Sequence, residues 1–223
     1  MTDPRAQLRD DLRTRRRAIP AATRIAAAQA LAERLLALPF MPAAGYVAGY
    51  WAMDGEIALH AWQLRLPSAL TYCLPVLGRD KRLRFAPWRP GEPLASNRFG
   101  IPEPDVTASA LLEPGTMALV VAPLVGFDAS GQRLGMGGGW YDRSFAFRNR
   151  RADNPQSPPP WLVGAAFAAQ RVDSVMPQPW DMPLDAACDE RQTQHQNNAH
   201  REFDPPKALF VCHTLPPPIN VSP

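Results

Sequence analysis

The first 38 residues alternate apolar and polar positions with the period of an α-helix. Leu8 and Leu12 lie one helical turn apart, so residues 4–17 are predicted to form an amphipathic helix from which the arginines project. A second predicted helix begins at Pro20, which suits a first helical position, and runs to about Leu38. Its apolar side marks it as a packing element.

Short apolar runs that lack helical gaps follow and indicate buried strands. They are residues 44–51, 70–77, 118–125 and 161–168. A further helix is predicted over residues 57–66, and the basic, proline-rich segment 78–114 is expected to be irregular. Because helices and strands alternate along the chain, we expect an α/β fold. The prediction is a single three-layer α/β/α domain with a mostly parallel central sheet, Rossmann-like in type.

Composition changes in two segments. Residues 152–160 form a proline-rich run that is predicted to be a surface loop. Beyond residue 190 the chain becomes polar, and six of its last 33 residues are proline. We therefore predict one domain over residues 1–190 and a loosely ordered tail over residues 191–223.

Cysteine usage and hydropathy indicate the compartment. The three cysteines, Cys73, Cys188 and Cys212, are odd in number and far apart, which indicates neither a disulfide framework nor a zinc knuckle. No apolar run reaches the roughly 18 residues that a membrane span requires, and residues 1–20 are charged where a signal peptide needs an apolar centre. We expect a cytoplasmic protein with no membrane partner.

Positive charge is concentrated at the start of the chain. The net charge is only +3, but residues 1–24 contain seven arginines against three aspartates. The plain interpretation is a solvated helix face, and the functional one is that some of these arginines reach an anionic ligand. Nucleic-acid binding is a third interpretation, which the lack of aromatic residues before Phe40 weakens.

The glycine-rich stretch after residues 118–125 carries the strongest chemical pattern. Glycines at the carboxyl end of a buried strand let backbone amides approach an anion closely. Arg133 precedes them, placed to bind phosphate oxygens, and Asp142 follows, placed to bind a divalent cation. The candidate cradle consists of Gly135, Gly137, Gly138 and Gly139. A nucleotide phosphate site is indicated, although neither the dinucleotide fingerprint nor the P-loop pattern fits, and a flexible turn is the alternative.

Other ionisable residues give weaker indications. Glu56 lies just beyond a predicted strand end, where it is placed to meet a ligand, although most such glutamates are surface residues. Asp173, Asp181 and Asp185 lie in or near a proline-punctuated loop, where each is a metal-ligand candidate or simply solvent-exposed. The four histidines have no spacing that favours a metal centre.

Residues 123–143, PLVGFDASGQRLGMGGGWYDR, closely resemble the signature of the 5-formyltetrahydrofolate cyclo-ligase family, also called methenyltetrahydrofolate synthetase. Further matches lie at Leu8-Arg9, at Glu56 after its strand, at residues 100–104 (GIPEP), and at Phe167 with Gln170 ahead of residues 179–185. The resemblance covers about residues 4–190 in the family's order.

The resemblance implies an ATP- and Mg²⁺-dependent conversion of 5-formyltetrahydrofolate to 5,10-methenyltetrahydrofolate with release of ADP and phosphate. The formyl oxygen is a very poor leaving group until it is phosphorylated, after which N10 closes the ring. Such an enzyme needs positioning and charge stabilisation rather than a protein nucleophile. The lack of a Ser-His-Asp or Cys-His pattern is consistent with this chemistry.

The resemblance also assigns residues to the nucleotide and the metal. Arg133 would lie beside the transferring phosphoryl group, and Arg133 and Tyr141 are the implied catalytic residues. Asp142 and Asp181 match the magnesium positions. The implied nucleotide contacts are Arg5, Arg9, Arg133, Leu134, Gly135, Met136, Gly137, Gly138, Gly139, Trp140 and Tyr141.

For the folate, Trp51 and Glu56 match contacting positions, and the Glu56 carboxylate is expected to pair with N–H donors of the pterin. The glycine-rich loop would lie between the two substrates, so it also supplies implied folate contacts at Met136, Gly137, Gly138, Gly139 and Trp140. Four features depart from the family's usual pattern, one of which is the ending Cys188-Asp189-Glu190, where Thr-Glu is common. Arg5 replaces a lysine, and Met136 and Trp140 stand where tyrosine is common.

The expected partner is the small-molecule substrate, with or without a polyglutamate tail, bound by a monomer without nucleic acid. Two other functions stay open from the sequence. One is an ATP-dependent phosphotransferase, or a diverged paralogue, that acts on another small molecule. The other is a basic nucleic-acid-binding module that works through residues 5–24, whose affinity would fall steeply with salt and ignore ATP.

Overall fold

The computed structural model describes residues 3–151 and 160–195 of the 223-residue chain. Its α-helices are α1 (Pro4–Arg17), α2 (Ala21–Leu36), α3 (His60–Gln63) and α4 (Trp140–Phe145). Short 3₁₀ helices cover Ala108–Ala110, Pro114–Thr116, Ala146–Arg151 and Ala168–Gln170. Within the described ranges, no helix has the length and apolar character needed to cross a bilayer.

Both long helices form where the periodicity predicts them. Asp3 caps α1, since its side-chain oxygen accepts the N–H of Arg5 at 3.0 Å, and Pro4 occupies the first turn, where no amide donor is needed. In α2 the buried positions recur with helical spacing and include Leu31 and Leu35.

A seven-stranded sheet forms the centre of the molecule. Its strands are β1 (Gly45–Ala48), β2 (Leu70–Leu77), β3 (Leu83–Pro87), β6 (Met117–Pro123), β9 (Trp161–Ala165), β10 (Ala186–Cys188) and β11 (Thr193–His195), in the spatial order β11-β10-β9-β6-β1-β2-β3. The five inner strands are parallel, and the edge strands β3 and β11 are antiparallel to their neighbours. Two small hairpins complete the strands, β4 (Leu94–Ser96) with β5 (Pro102–Pro104) and β7 (Gly126–Phe127) with β8 (Arg133–Leu134).

Alternate residues of the inner strands enter two separate cores. On one face, Val121 of β6 packs in a cluster with Leu31 of α2 and Trp62 of α3. On the other face, Val120 packs in a cluster with Phe145 of α4 and Phe85 of β3. The sheet is therefore covered on both faces, and the predicted three-layer α/β fold with a mostly parallel sheet is confirmed.

Helix α1 belongs to neither face. Its Leu12 is fully buried in a third, small cluster with Val125, Leu134 and Val175 beyond the carboxyl end of β6. This packing places the arginines of α1 at the end of the sheet where α/β proteins bind ligands.

Several predicted boundaries change in the structure. The helix expected over residues 57–66 is regular only at α3, and the segment 78–114, expected to be irregular, contains β3 and the β4–β5 hairpin. Prolines mislead there because Pro87, Pro102 and Pro104 lie in edge strands, which tolerate the missing N–H. Beyond residue 190, β11 adds an edge strand that the sequence did not indicate. Residues 152–159 and 196–223, which hold most of the predicted loop and tail, lie outside the described residues.

Candidate active site

A cavity of about 620 Å³ opens at the carboxyl ends of the parallel strands. Its walls come from α1, the connection after β1, the end of β2, the β4–β5 hairpin, the loop between β8 and α4, and the turn at residues 178–181. A cavity of this size and position fits a ligand larger than a single small metabolite.

The loop between β8 and α4 requires glycine. Gly137 (φ +91°) and Gly139 (φ +63°) have backbone conformations that side chains disfavour. A Cβ added to Gly138 would lie 2.8 Å from the Trp140 ring. These three positions therefore favour glycine, and residues 135–139 line the cavity, where glycine-rich backbone can approach an anion closely.

Arg133 lies at the base of this loop and is only 4% exposed. Its Nη2 donates to Oδ1 of Asp142 at 2.5 Å, and its guanidinium stacks over the Tyr141 ring at 5.5 Å. The buried Nε of Arg133 has no hydrogen-bond partner among the described residues. A buried guanidinium with an unused donor is suited to an anionic ligand.

Two aspartates lie together beside the loop. The carboxylate of Asp181 accepts Nη2 of Arg5 at 2.8 Å and the backbone N–H of Gln178 at 2.9 Å, both on Oδ2. Oδ1 of Asp142 accepts the backbone N–H of Met182 at 3.1 Å, so the turn that carries Asp181 is tied to Asp142. Among the described residues, no cluster of three or more histidine, cysteine, aspartate or glutamate side chains could hold a metal ion.

A second arginine of α1 supports the loop directly. The Nε of Arg9 donates to the carbonyl oxygen of Gly135 at 3.0 Å. Arg5, one helical turn earlier, keeps a buried Nε without a partner among the described residues. The hypothesis that some arginines of α1 face a ligand site is consistent with these positions.

Three other arginines of α1 converge on Asp54. Arg13 and Arg16 bind its Oδ2 at 2.8 and 2.9 Å, and Arg17 binds its Oδ1. Burial alone would raise the pKa of the Asp54 carboxyl, but the hydrogen bonds of Arg13 and Arg17 and the arginine charges outweigh it and lower the pKa. Positive charge that is neutralised inside the molecule disfavours the nucleic-acid-binding interpretation.

Glu56 and Trp51 line the opposite part of the cavity. Oε2 of Glu56 accepts the backbone N–H of Met53 at 3.0 Å, and Nη1 of Arg16 lies 3.8 Å from Oε1. Burial raises the pKa of Glu56, against the lowering effects of the Met53 hydrogen bond and the Arg16 charge. The Trp51 ring is 37% exposed and packs edge-on against Trp88 at 5.7 Å.

The sequence model of the 5-formyltetrahydrofolate cyclo-ligase family matches residues 1–190, which is most of the chain. The chain belongs to the 5-formyltetrahydrofolate cyclo-ligase family. Membership confirms the resemblance read from residues 123–143, and it confirms that the protein is an enzyme of the ligase class.

Curated relatives of this family match over nearly their whole length. The 5-formyltetrahydrofolate cyclo-ligase of Haemophilus influenzae is 33% identical over 187 residues, which cover 82% of this chain and 96% of that protein. The one from Escherichia coli K12 is 34% identical over 179 residues, covering 78% of this chain and 94% of that protein.

Solved structures share the fold. The NMR structure of Aquifex aeolicus 5,10-methenyltetrahydrofolate synthetase matches with a TM-score of 0.72 and 23% identity, covering 90% of this chain and 96% of that one. The structure of a Mycoplasma pneumoniae 5,10-methenyltetrahydrofolate synthetase matches with a TM-score of 0.64 and 21% identity, covering 84% and 99%.

The cavity of this cyclo-ligase family member brings together nearly all of the residues predicted as its site. They are Arg5, Arg9, Trp51, Glu56, Arg133, Gly135, Met136, Gly137, Gly138, Gly139, Trp140, Tyr141, Asp142 and Asp181. Leu134 differs, because its side chain is fully buried in the cluster around Leu12 and does not line the cavity.

The Tyr141 ring contacts the Arg133 guanidinium. Burial raises the pKa of its hydroxyl, and the nearby Glu56 charge adds to the effect. A neutral phenol cannot serve as a base near pH 7, so the stacking on the Arg133 guanidinium is the role that the geometry indicates.

One wall of the cavity was not predicted from the sequence. It is the hairpin wall, formed by residues 97–103, which supplies Asn97, Phe99, Ile101 and Glu103. Oε1 of Glu103 accepts the backbone N–H of Leu77 at 3.0 Å and Nδ2 of Asn97 at 2.7 Å, which fixes the hairpin to the end of β2. The family resemblance at residues 100–104 indicated that this segment matters, but the sequence predicted no chemical role for its residues.

Met136 and Trp140, two of the residues that depart from the family's pattern, both line the cavity. Trp140 is partly buried, and the guanidinium groups of Arg98 and Arg143 lie 5.6 and 5.8 Å from its ring. Met136 is 53% exposed. With Phe99 and Trp180, these side chains form an apolar rim around a polar interior.

Proposed function

We propose that this cyclo-ligase converts 5-formyltetrahydrofolate to 5,10-methenyltetrahydrofolate with consumption of ATP in the presence of Mg²⁺. One observation carries the proposal besides family membership. A single cavity joins a glycine-rich loop, the buried Arg133, the partly buried Arg5 and two aspartates to an aromatic and acidic region around Trp51 and Glu56. We call these the phosphate end and the folate end.

The reaction explains why both ends share one cavity. An N-formyl group is amide-like, so its oxygen does not leave as hydroxide. ATP would supply the phosphoryl group that makes this oxygen a leaving group, with ADP released. N10 then forms a bond to the formyl carbon, the bond from that carbon to the phosphorylated oxygen breaks, phosphate departs and N10 loses its proton. Reactants held in line account for such catalysis without a protein nucleophile.

The phosphate end fits a nucleotide. Arg5 and Arg133 each have a buried Nε without a partner among the described residues, and residues 135–139 would form the cradle, with glycine favoured at position 138 because a Cβ there would clash with the Trp140 ring. The guanidinium of Arg133 would stabilise charge that develops on the transferring phosphoryl group. Arg9 holds the Gly135 carbonyl oxygen and so sets the shape of the cradle.

Asp142 and Asp181 fit a magnesium ion that also binds phosphate. Each uses one carboxylate oxygen for hydrogen bonds within the described part of the chain, which leaves the other for a cation. Magnesium is commonly held by one or two carboxylates, with phosphate oxygens and water completing its shell. Mg²⁺ would neutralise phosphate charge during the transfer.

At the folate end, the Glu56 carboxylate would accept hydrogen bonds from pterin N–H groups, and the Trp51 ring would cover an aromatic surface. These contacts orient N10 and the formyl group toward the phosphate end. Met136 and Trp140, the departures in the glycine-rich loop, also line the cavity, and with this loop between the two substrates they would influence folate packing more than phosphate binding.

An absorbance assay tests the proposal. Purified protein should form 5,10-methenyltetrahydrofolate from 5-formyltetrahydrofolate only when Mg-ATP is present, with one ADP released per product. Turnover of another phosphoryl acceptor, with no methenyl product under any condition, would favour the diverged-paralogue alternative instead.

The cellular setting also belongs to the proposal. We propose a cytoplasmic monomer whose catalytic domain is residues 1–190 and which binds no nucleic acid. Among the described residues, Cys73 and Cys188 are buried free thiols, which supports a reducing compartment.

A further inference from the structure

Among the described residues of α1, Arg16 is the only arginine that is fully buried. Its Nε donates to the carbonyl oxygen of Asp54 at 3.1 Å, and its Nη2 donates to Oδ2 of Asp54 at 2.9 Å. Its Nη1 donates to the carbonyl oxygen of Leu124 at 3.3 Å and lies 3.8 Å from Oε1 of Glu56. One planar guanidinium thus connects the end of β6, the turn at Asp54 and the side chain of Glu56.

The turn that Arg16 holds is conformationally unusual. Asp54 (φ +50°) and Gly55 (φ +77°) are consecutive residues in the left-handed region, which L-residues other than asparagine and aspartate rarely adopt. Arg24 donates to the carbonyl oxygen of Gly55 at 2.7 Å from the other side. Such backbone conformations persist where surrounding contacts determine them, and this turn places Glu56 in the cavity.

We propose that Arg16 is a positioning residue, which aligns the Glu56 carboxylate for the pterin end of the folate. This inference rests on the proposed function and assigns to Arg16 a role at the folate end that it performs through Glu56. Arg16 itself does not line the cavity, unlike Arg5 and Arg9 on the same helix. Its loss therefore affects folate recognition and spares the phosphate end.

A double-mutant cycle with Arg16→Met and Glu56→Gln tests the proposal. Calorimetry gives the Kd for 5-formyltetrahydrofolate without ATP, and steady-state assays give the KM for each substrate. We expect Arg16→Met to raise the folate Kd roughly tenfold to a hundredfold, since a misplaced binding group has effects of this order, while the ATP KM stays unchanged. In the Glu56→Gln background, Arg16→Met should add little, because residues that act through one another are not additive.

Arg17→Ala is the matched control. Arg17 binds the same Asp54 carboxylate through its other oxygen, but its side chain is 53% exposed and does not line the cavity. It should keep the wild-type folate Kd. Arg16→Lys retains the positive charge but not the planar set of guanidinium donors, so it should recover part of the folate affinity that is lost in Arg16→Met. If Arg16→Met does not fold, the cycle is run with Arg16→Lys, which should weaken folate binding only when Glu56 is present.

Three results would overturn the inference while wild-type turnover leaves the proposed function intact. They are an unchanged folate Kd in both Arg16 variants, equal losses for folate and ATP, and a full additional loss in the Glu56→Gln background. A wild-type protein that neither binds nor converts 5-formyltetrahydrofolate would overturn the proposed function first, and this inference with it.

Discussion

The two ends of the cavity are built in different ways. The phosphate end comes mainly from one continuous stretch, residues 133–142, with Arg5 and Asp181 as its principal additions. The folate end combines segments that are far apart in the chain, with Trp51 and Glu56 from one connection and the hairpin wall from another. One end is a local motif, and the other exists only in the folded molecule.

Their electrostatics differ as well. At the phosphate end, each aspartate is held by an arginine and a backbone N–H, so charges are fixed before a ligand binds. At the folate end, burial raises the pKa of Glu56, and its nearest positive group, Arg16, lies 3.8 Å away. In the proposed reaction the phosphate end serves turnover and the folate end serves recognition, so substitutions at the two ends should change different kinetic constants.

The largest effect is expected for Arg133→Ala. In the proposed reaction, removal of the charge beside the transferring phosphoryl group should lower kcat by about 10²–10³-fold or more, by analogy with the loss of a donor that stabilises a transition state. Steady-state kinetics measure this, and a thermal melt shows whether the fold persists. Arg15→Ala, which removes the same charge from an exposed position of α1, is the control. Near-normal turnover in folded Arg133→Ala would remove Arg133 from the phosphoryl site.

The next effect concerns the metal. Asp181→Asn should raise the Mg²⁺ concentration for half-maximal activity by about tenfold or more, since even groups behind a metal ligand often contribute that much to affinity. A magnesium titration at saturating ATP measures it. Asp173→Asn makes the same charge change at an exposed site and should leave the titration unchanged. If both variants titrate alike, Asp181 does not bind the metal.

A smaller effect is expected for Glu56→Gln, which should raise the folate KM by about tenfold and leave kcat nearly unchanged, because a charge-assisted hydrogen bond becomes a neutral one.

Wild-type folate affinity should also fall as the pH is lowered toward the raised pKa of Glu56, since the protonated carboxyl loses acceptor capacity. Asp54 and Tyr50 face this group and do not titrate in that range, because the pKa of Asp54 is lowered and that of Tyr50 is raised well above its ordinary value. Calorimetry from about pH 5 to 8 should show a slope in the wild type that Glu56→Gln lacks. Parallel slopes in both proteins would contradict this assignment.

The smallest effect tests a region outside the cavity. A chain that ends at Glu190 lacks β11 and the hydrogen bond from Gln194 to the carbonyl oxygen of Ala129. We expect it to lose about 1 kcal/mol of stability, which corresponds to roughly 2–4 °C in Tm, with kcat unchanged. A chain that ends at His195 separates the contribution of β11 from that of residues 196–223. Loss of activity at Glu190 would show that this edge supports the site.

Features that depend on neighbouring residues were predicted well. Helix α1 and strand β2 have the predicted bounds, because helical spacing around Leu12 and an uninterrupted apolar run are local properties. The phosphate end was predicted for the same reason, since its glycines, Arg133 and Asp142 lie within one stretch.

Features that depend on distant contacts were not predicted. Asp54 looks like an ordinary turn residue until three arginines of α1, at least 37 positions away, converge on it. Glu103 lies between prolines that indicate an extended segment, and only the structure shows that it is bonded to the end of β2. The role of the hairpin wall comes from packing, which the sequence of that segment does not encode locally.

In the proposed reaction, the formyl oxygen bound at the folate end receives the phosphoryl group from the phosphate end. The most direct measurement uses 5-formyltetrahydrofolate labelled with ¹⁸O in the formyl group, Mg-ATP and purified protein, followed by mass spectrometry of the released phosphate. Direct transfer to the formyl oxygen predicts one ¹⁸O atom in each phosphate, formed in step with 5,10-methenyltetrahydrofolate. Unlabelled phosphate that accompanies the methenyl product would contradict it.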